Sequence, residues 1–410
     1  MRPIIALVIL TLTLSLATFA GADPTPPVAA STAFNSYQRA FDWWQANARG
    51  ETATLTQDDL SILSDGLAGT PTPEVRAALA KVRPYIDLMR EGGSAKAYGL
   101  ELDRSKGFEL VLPHLGSLRN AARVLRLDAE VRMADGDVRG AADAIRAIVG
   151  FSDHTRQDSI IISSLVSGAI MSLGDSTIDR ALSLGAFDKE AADELATAME
   201  SMRGNDSLHL SDAIRGEASM LRTSVERSME DKEHSMQQLL GMPENASPED
   251  FTPERLKEQL DSMEKLYGQA ADAVAGPDRD AARAVLADIE RRTASGEIGP
   301  LAKAMMPALL RAAEGCWKAE DLIAARYQML DDIRSGRKDA AAFANAAYPY
   351  LQAAELVTTL EKERQATIEA ARVAASALDA AAATNARRET ARFREPLRTL
   401  FEAAAKRERC

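Results

Sequence analysis

The sequence predicts an all-α protein, helical hairpins packed as a bundle or a short α-solenoid, and three observations lead there. Apolar residues recur at spacings of three and four through most of the 410 residues. The stretches between these runs are short and hold glycine, aspartate or proline, which end one helix and start the next. Strand-like alternation is confined to residues 98–102 and 108–112, around 103–107, which admits at most one small β-hairpin near 98–112.

The clearest element is residues 112–150. Leu118, Ala121, Ala122, Leu125, Ala129 and Met133 make one apolar stripe, while Arg119, Arg123, Arg126, Asp128, Glu130 and Arg132 face mostly elsewhere. Gly136 suits the left-handed conformation that ends a helix, and Asp137 can cap the next one. Ala141, Ala144, Ile145, Ile148 and Val149 form the second stripe, and small side chains at Ala141 and Ala142 allow close approach. This is an αα-hairpin.

In chain order, residues 1–22 come first. Arg2, an uncharged apolar run from Ile4 to Phe19, and Ala20, Gly21, Ala22 before Asp23 read as a secretory signal peptide. The run also approaches the length of an uncleaved anchor, so both readings stay open. No cysteine follows it for lipid attachment, and no later stretch reads as long and apolar enough to span a membrane once the leader is cleaved. Residues 23–35 form a Pro-rich flexible lead-in to an N-terminal helical lobe, 36–240. Within that lobe helices are expected at 36–48, with Tyr37, Phe41 and Trp44 on one face, and at 57–67, capped by Thr56 with Asp59. Others follow at 73–91, interrupted near Pro84, and at 158–184, 189–202 and 208–240. Residues 241–253 hold the turn formers and acids of a linker to a C-terminal lobe, 254–410, with helices at 254–275, 279–295, 301–334 and 339–385. Gly296 and Gly336 repeat the turn at Gly136.

Residues 114–150 resemble a tetratricopeptide-type hairpin: Gly136, Asp137, Ala141 and Ile145 match its turn glycine, cap, packing alanine and large apolar residue, with Asp128 where that motif has a buried leucine. Together with Ile214, Arg215, Gly216, Glu217 and Ala218, residues 105–220 also resemble a family of exported, mostly helical bacterial proteins of the planctomycete type that has no assigned activity. That resemblance implies the fold and export and supplies no catalytic residues. Such proteins are expected to carry a proline-containing extended segment near the C-terminus, where this chain has Ala- and Arg-rich sequence.

The formal charge of −12 opposes broad nucleic-acid binding, which needs a concentrated positive field. Locally, residues 385–410 carry eight Lys or Arg against four Glu, a basic tail suited either to docking on an acidic surface or to neutralising the acidic body. Export permits a disulfide between the only two cysteines, Cys316 and Cys410; a buried Cys316 with a free tail thiol is the other reading.

Chemical motifs are scarce. The sequence has no phosphate-cradling Gly-rich loop, HExxH, GxSxG or cysteine metal cluster, and the SxxK matches at Ser262–Lys265 and Ser335–Lys338 lack a companion KTG. Asp135, Asp137, Gly140 and Asp143 fit calcium-loop positions, but Arg139 and Arg146 stand where oxygen ligands are needed. Asp206 with His209 and Asp231 with His234 each pair a carboxylate with an imidazole. The two histidines lie roughly 37 Å apart on one helix at about 1.5 Å per residue, too far to share a metal. The Trp43, Trp44 pair reads either as a ligand platform or as core; adjacent residues point to different sides, which assigns Trp44 to the core and leaves Trp43 open. Asn205 and Asn245 fit glycosylation sequons.

No catalytic, cofactor or metal residues are assigned from the sequence, and two function classes survive. One is an exported, periplasmic or secreted interaction or scaffolding protein of the cell envelope with a protein partner. The other is an enzyme or small-ligand binder whose site is assembled from scattered residues, for which His114, His154 and Glu217 are the general-base candidates. Convergence of those three in one deep pocket favours the second.

Overall fold

Helix follows helix in the computed structural model, which describes residues 32–49, 53–67, 69–230, 252–306, 308–339 and 343. Helices α1 (Ala33–Ala48), α2 (Gln57–Asp65), α3 (Pro73–Lys81) and α4 (Arg83–Ser94) precede a 3-10 turn at Arg104–Glu109. Then come α5 (Pro113–Ala134), α6 (Val138–Thr155), α7 (Ile161–Ser183) and α8 (Lys189–Met199). The remainder is α9 (Leu210–Glu230), α10 (Pro253–Ala275), α11 (Arg279–Ser295), α12 (Pro300–Met305) and α13 (Leu309–Arg334). Among the described residues there is no strand: the fold is an all-α bundle.

The bundle is layered around α6, which packs on α4, α5, α7 and α8. Helix α7 lies under α5, α6, α9 and α13; α1 rests on α4, and α10 carries α9, α11 and α12. Both stripes of the central hairpin are buried, and Ala141, Ala142, Ala144, Ile145 and Ile148 expose nothing. Where α4 crosses α6 the contact is backbone to backbone: a Cβ on Gly150 would collide with the carbonyl of Gly93.

The central turn closes itself. Gly136 is left-handed (φ 78°), the Asp137 N–H reaches the Arg132 carbonyl at 2.8 Å, and the Asp137 carboxylate accepts from the Gly140 N–H at 2.9 Å. Gly296 (φ 80°) and Gly336 (φ 71°) take the same conformation. Across each of the three turns an ion pair joins residues five apart: Arg132 with Asp137 at 2.6 Å, Arg292 with Glu297 at 2.8 Å, and Arg337 with Asp332 at 2.8 Å.

Several elements depart from their sequence expectation. Helix α1 takes in residues 33–35 of the expected lead-in, because the Ala33 and Phe34 N–H groups find the carbonyls of Ala97 (2.8 Å) and Tyr98 (3.0 Å) and both side chains are buried. That pairing also removes the expected β-hairpin at 98–112. Its first half serves α1, Gly107 (φ 55°) reverses the chain within the 3-10 turn, and the Phe108 N–H donates to Ser224 Oγ of α9 at 2.9 Å. The 73–91 helix is interrupted near Pro84 as expected, at Val82, whereas the 301–334 helix, expected whole, divides into α12 and α13.

Asp128 and Glu130, which the sequence turns away from the apolar stripe, are buried, because α2, α6 and α7 cover α5 on more than one side. The expectation that no stretch beyond the leader is long and apolar enough to cross a membrane fails for α7, which meets that test by length and composition. In the fold 67% of its most apolar window is buried, and Asp175 and Asp179 on it hold Arg326 of α13 at 2.6 Å each.

Of the expected linker 241–253 only Thr252, which caps α10, and Pro253, its first residue, are described; α9 and α10 on its two sides pack together in one unit that runs to Ala344. The expected signal peptide, the expected 339–385 helix apart from Asp339 and Phe343, the basic tail and Cys410 lie outside the described residues.

Candidate functional site

Two places concentrate polar groups. The first is the α6–α7 junction, residues 154–161, which gathers the three residues the sequence proposes. His154, near the end of α6, sits between two partners: Nε2 lies 2.9 Å from the Ala95 carbonyl and Nδ1 2.7 Å from the Tyr37 hydroxyl. A carbonyl only accepts, so Nε2 carries the proton and Tyr37 donates to Nδ1. The Tyr98 ring stacks flat on the imidazole at 5.2 Å, and burial pushes the His154 pKa below its usual value. His114, in the first turn of α5, meets the Asp158 carboxylate at 2.9 Å, and the same oxygen accepts from Ser163 Oγ at 2.8 Å. Glu217 accepts from the Ile161 N–H at 3.3 Å, and burial raises its pKa.

His114, His154 and Glu217 are thus spokes on one junction. Each has its own partner, and among the described residues no hydrogen bond joins any two of them. Gly216 lies against the Ser159 carbonyl with no room for a Cβ, and Ser159 itself is left-handed (φ 51°). The Gly216–Glu217 pair therefore brackets the junction: the glycine admits a carbonyl and the glutamate caps the N–H two residues later.

The second place was not singled out by sequence reasoning. A cleft of about 220 Å³ lies between the segment 202–204 and α13, lined by Arg203, Gly204, Glu320, Tyr327 and Gln328 among others. Ligand pockets commonly hold about 300–1,000 Å³, so this one suits a small group. Glu320 pairs with Arg279 at 3.1 Å and accepts from the Ser207 and Leu208 N–H groups, yet burial pushes its carboxyl up to about 7. One turn earlier, burial pushes the free Cys316 thiol up to about 12. The Tyr327 hydroxyl donates to Glu200 at 2.8 Å and accepts from Arg334 at 2.7 Å, with the Arg203 guanidinium 4.0 Å from its ring centre. The available sequence signal was Cys316, Glu320 and Tyr327 at helical spacings of four and seven, and it names no chemistry.

The segment entering this cleft is strained. Asp206 and His209 both have φ 53°, where side chains other than glycine are disfavoured. Buried Arg156 anchors it, donating to the Ser207 carbonyl at 3.0 Å, the Ser201 carbonyl at 3.1 Å, the Asp153 carboxylate and His209 Nε2.

Elsewhere the sequence candidates have structural partners. Asp135 binds Arg76, Asp137 caps α6, and Asp143 meets Arg90 at 2.6 Å and Arg146 at 2.9 Å, so arginines supply the charge that a calcium reading would assign to a cation. Asp206 accepts from the Ser211 N–H while His209 faces Arg156, and Asp231 and His234 are outside the described residues. Trp43 and Trp44 both lie on Tyr85, at 6.1 and 4.8 Å between ring centres. Ser262 and Ser335 bond back to helix carbonyls. Asn205 is exposed, and Asn245 is outside the described residues. Among the described residues no three His, Cys, Asp or Glu are grouped to hold a metal ion. Neither a family model, nor a curated protein, nor a solved structure matches the chain.

Proposed function

We propose that the chain is an exported helical interaction or scaffolding protein of the cell envelope, acting through a protein partner. The observation that carries this reading is the division of groups between interior and surface. The imidazoles and carboxylate that sequence offers for catalysis are tied inside the bundle, while Phe108 (42% exposed) and Val111 (74% exposed) stand bare where the chain leaves the 3-10 turn over α9. Two large apolar side chains left exposed three residues apart are a surface that a partner could cover. The resemblance of residues 105–220 to exported helical proteins agrees with it, as does the acidic balance, which suits selection of a partner by charge.

The test is affinity capture of residues 23–410 from the envelope fraction of the producing cells, beside the double variant Phe108→Ser, Val111→Ser. A protein partner retained in near-equal amount by the wild type and lost by the variant is the expected result. Recovery of the chain alone overturns the interaction reading, and a first residue other than Asp23 in the secreted form overturns the leader assignment. A second reading, a small-ligand site at Glu320, is favoured by that carboxyl's displaced pKa beside a cleft.

A further inference from the structure

We infer that residues 203–209 form an acid-loosened clasp: a proton on His209 Nε2 breaks the one titratable bond among those by which Arg156 holds this segment, and the start of α9, against the α6–α7 junction. A guanidinium has donors only, so the contact between Arg156 and Nε2 requires a lone pair on that nitrogen and places the imidazole proton on Nδ1. A second proton removes the acceptor and sets an imidazolium against a guanidinium. His209 also opens α9, its carbonyl accepting from the Ala213 N–H, so the new charge would stand at the positive end of that helix.

The acids around His209 do not neutralise this change. Asp153 of α6 is bound to Arg156, Asp206 caps the Ser211 N–H, and Asp212 pairs with Arg215 at 3.5 Å. Burial and Arg156 together hold the His209 pKa down, against the weaker pull of those three carboxylates. On the far side of the segment, Glu320 of α13, paired with Arg279 of α11, accepts from the Ser207 and Leu208 N–H groups. Its proton favours the closed form, opposite to that of His209. Arg156 keeps its bonds to the Ser207 and Ser201 carbonyls, so the proton frees the segment from His209 onward: the left-handed backbone at His209, which the lost contact restrained, can relax. Met202, Arg203 and Gly204, between those two held carbonyls, form one wall of the cleft beside Glu320 and Tyr327.

Hydrogen exchange of the full chain, read by mass spectrometry over amides 204–213 at pH 7.5 and 5.5 with intrinsic rates corrected, tests this. The comparison is wild type against His209→Asn, which keeps a neutral side chain suited to positive φ and leaves Glu320 in place. Between the two pH values the wild type should lose up to roughly tenfold more protection than the variant, the factor set by a free imidazole near 6.5. Equal losses overturn the clasp. Where the variant loses protection throughout the chain at pH 7.5, a proton NMR titration of the wild type, which has four histidines, decides instead. A His209 ring titrating below 6.5, with amides 204–213 shifting in step, supports the clasp, and one titrating at or above 6.5 refutes it.

Discussion

Replacing Tyr37 by Phe removes one atom from the middle of the fold. Tyr37 is fully buried, and its ring packs edge-on to Phe151 at 5.5 Å between centres, so the variant keeps the shape and loses only the hydroxyl that donates to His154 Nδ1. The imidazole nitrogen is then a buried acceptor with no donor, a loss of about 1–3 kcal/mol. At about 1–2 °C per kcal/mol for a chain of this size, a loss near the middle of that range lowers Tm by about 2–4 °C. Urea unfolding at pH 8, followed by circular dichroism, should show a lower midpoint at unchanged slope. The pH dependence gives a second reading. Burial makes His154 take up a proton less readily in the folded protein than in the unfolded chain, so the wild type loses stability as pH falls below about 6.5. With the Tyr37 hydroxyl gone, Nδ1 can accept that proton, and the penalty of the substitution should shrink at pH 5.5. A destabilisation under about 0.3 kcal/mol at pH 8, or one that grows at pH 5.5, refutes the assignment of the His154 proton to Nε2.

Three further outcomes follow from the buried charges and the thiol. Asp128→Asn should destabilise by about 1.5–3 kcal/mol in the same urea assay, less than the about 3–5 of a fully buried pair. It loses charge from contacts with Arg83 (3.0 Å) and Arg132 (2.8 Å), whose side chains, 38% and 21% exposed, still reach water. Glu320 has its folded pKa raised to about 7, so its proton favours the fold below 4.5 and that contribution is lost as pH rises through 7. Glu320→Gln should therefore gain on the wild type by up to about 3 kcal/mol between pH 4.5 and 8, and a flat difference refutes the shift. In a Cys410→Ser background, Cys316 should resist an exposed-thiol reagent at pH 8 and react fully in urea; rapid labelling without denaturant contradicts its burial.

The parts of the fold legible in the sequence are those written within a few residues. Thr56 and Asp59 form the reciprocal cap their spacing predicts, α11 runs over the expected 279–295, and Gly136 with Asp137 turns the chain as read. What was not legible depends on residues far apart. The Tyr37–His154 bond spans 117 positions. The pairing of Ala33 and Phe34 with the Ala97 and Tyr98 carbonyls, and the contact of Phe108 with Ser224 across 116 positions, decide what residues 98–112 become, not local alternation. Asp128 and Glu130 look like surface residues by type, and only the cover laid over α5 by three other helices makes them interior. The candidate site divides the same way: His114, His154 and Glu217 do gather at one junction, but their partners Asp158, Tyr37 and the Ile161 N–H could not be named from periodicity. The Glu320 cleft needed Arg279, Ser207 and Leu208, brought together from two other parts of the chain.

Under the export proposed above, the two aspartates of α7 would act at a stage before any of this packing exists. In an exported chain, Ile161–Ser183 crosses a membrane channel unfolded, with its apolar side chains bare and lipid within reach. Arg326, the partner that Asp175 has 151 positions downstream, is then still far behind. An ionised aspartate near the middle of such a segment disfavours lateral escape into the bilayer by about 2.5–3.5 kcal/mol, and the two together keep the segment moving. Under the proposed export, the pair that meets a guanidinium in the finished bundle would also favour delivery of this helix over its retention in the bilayer.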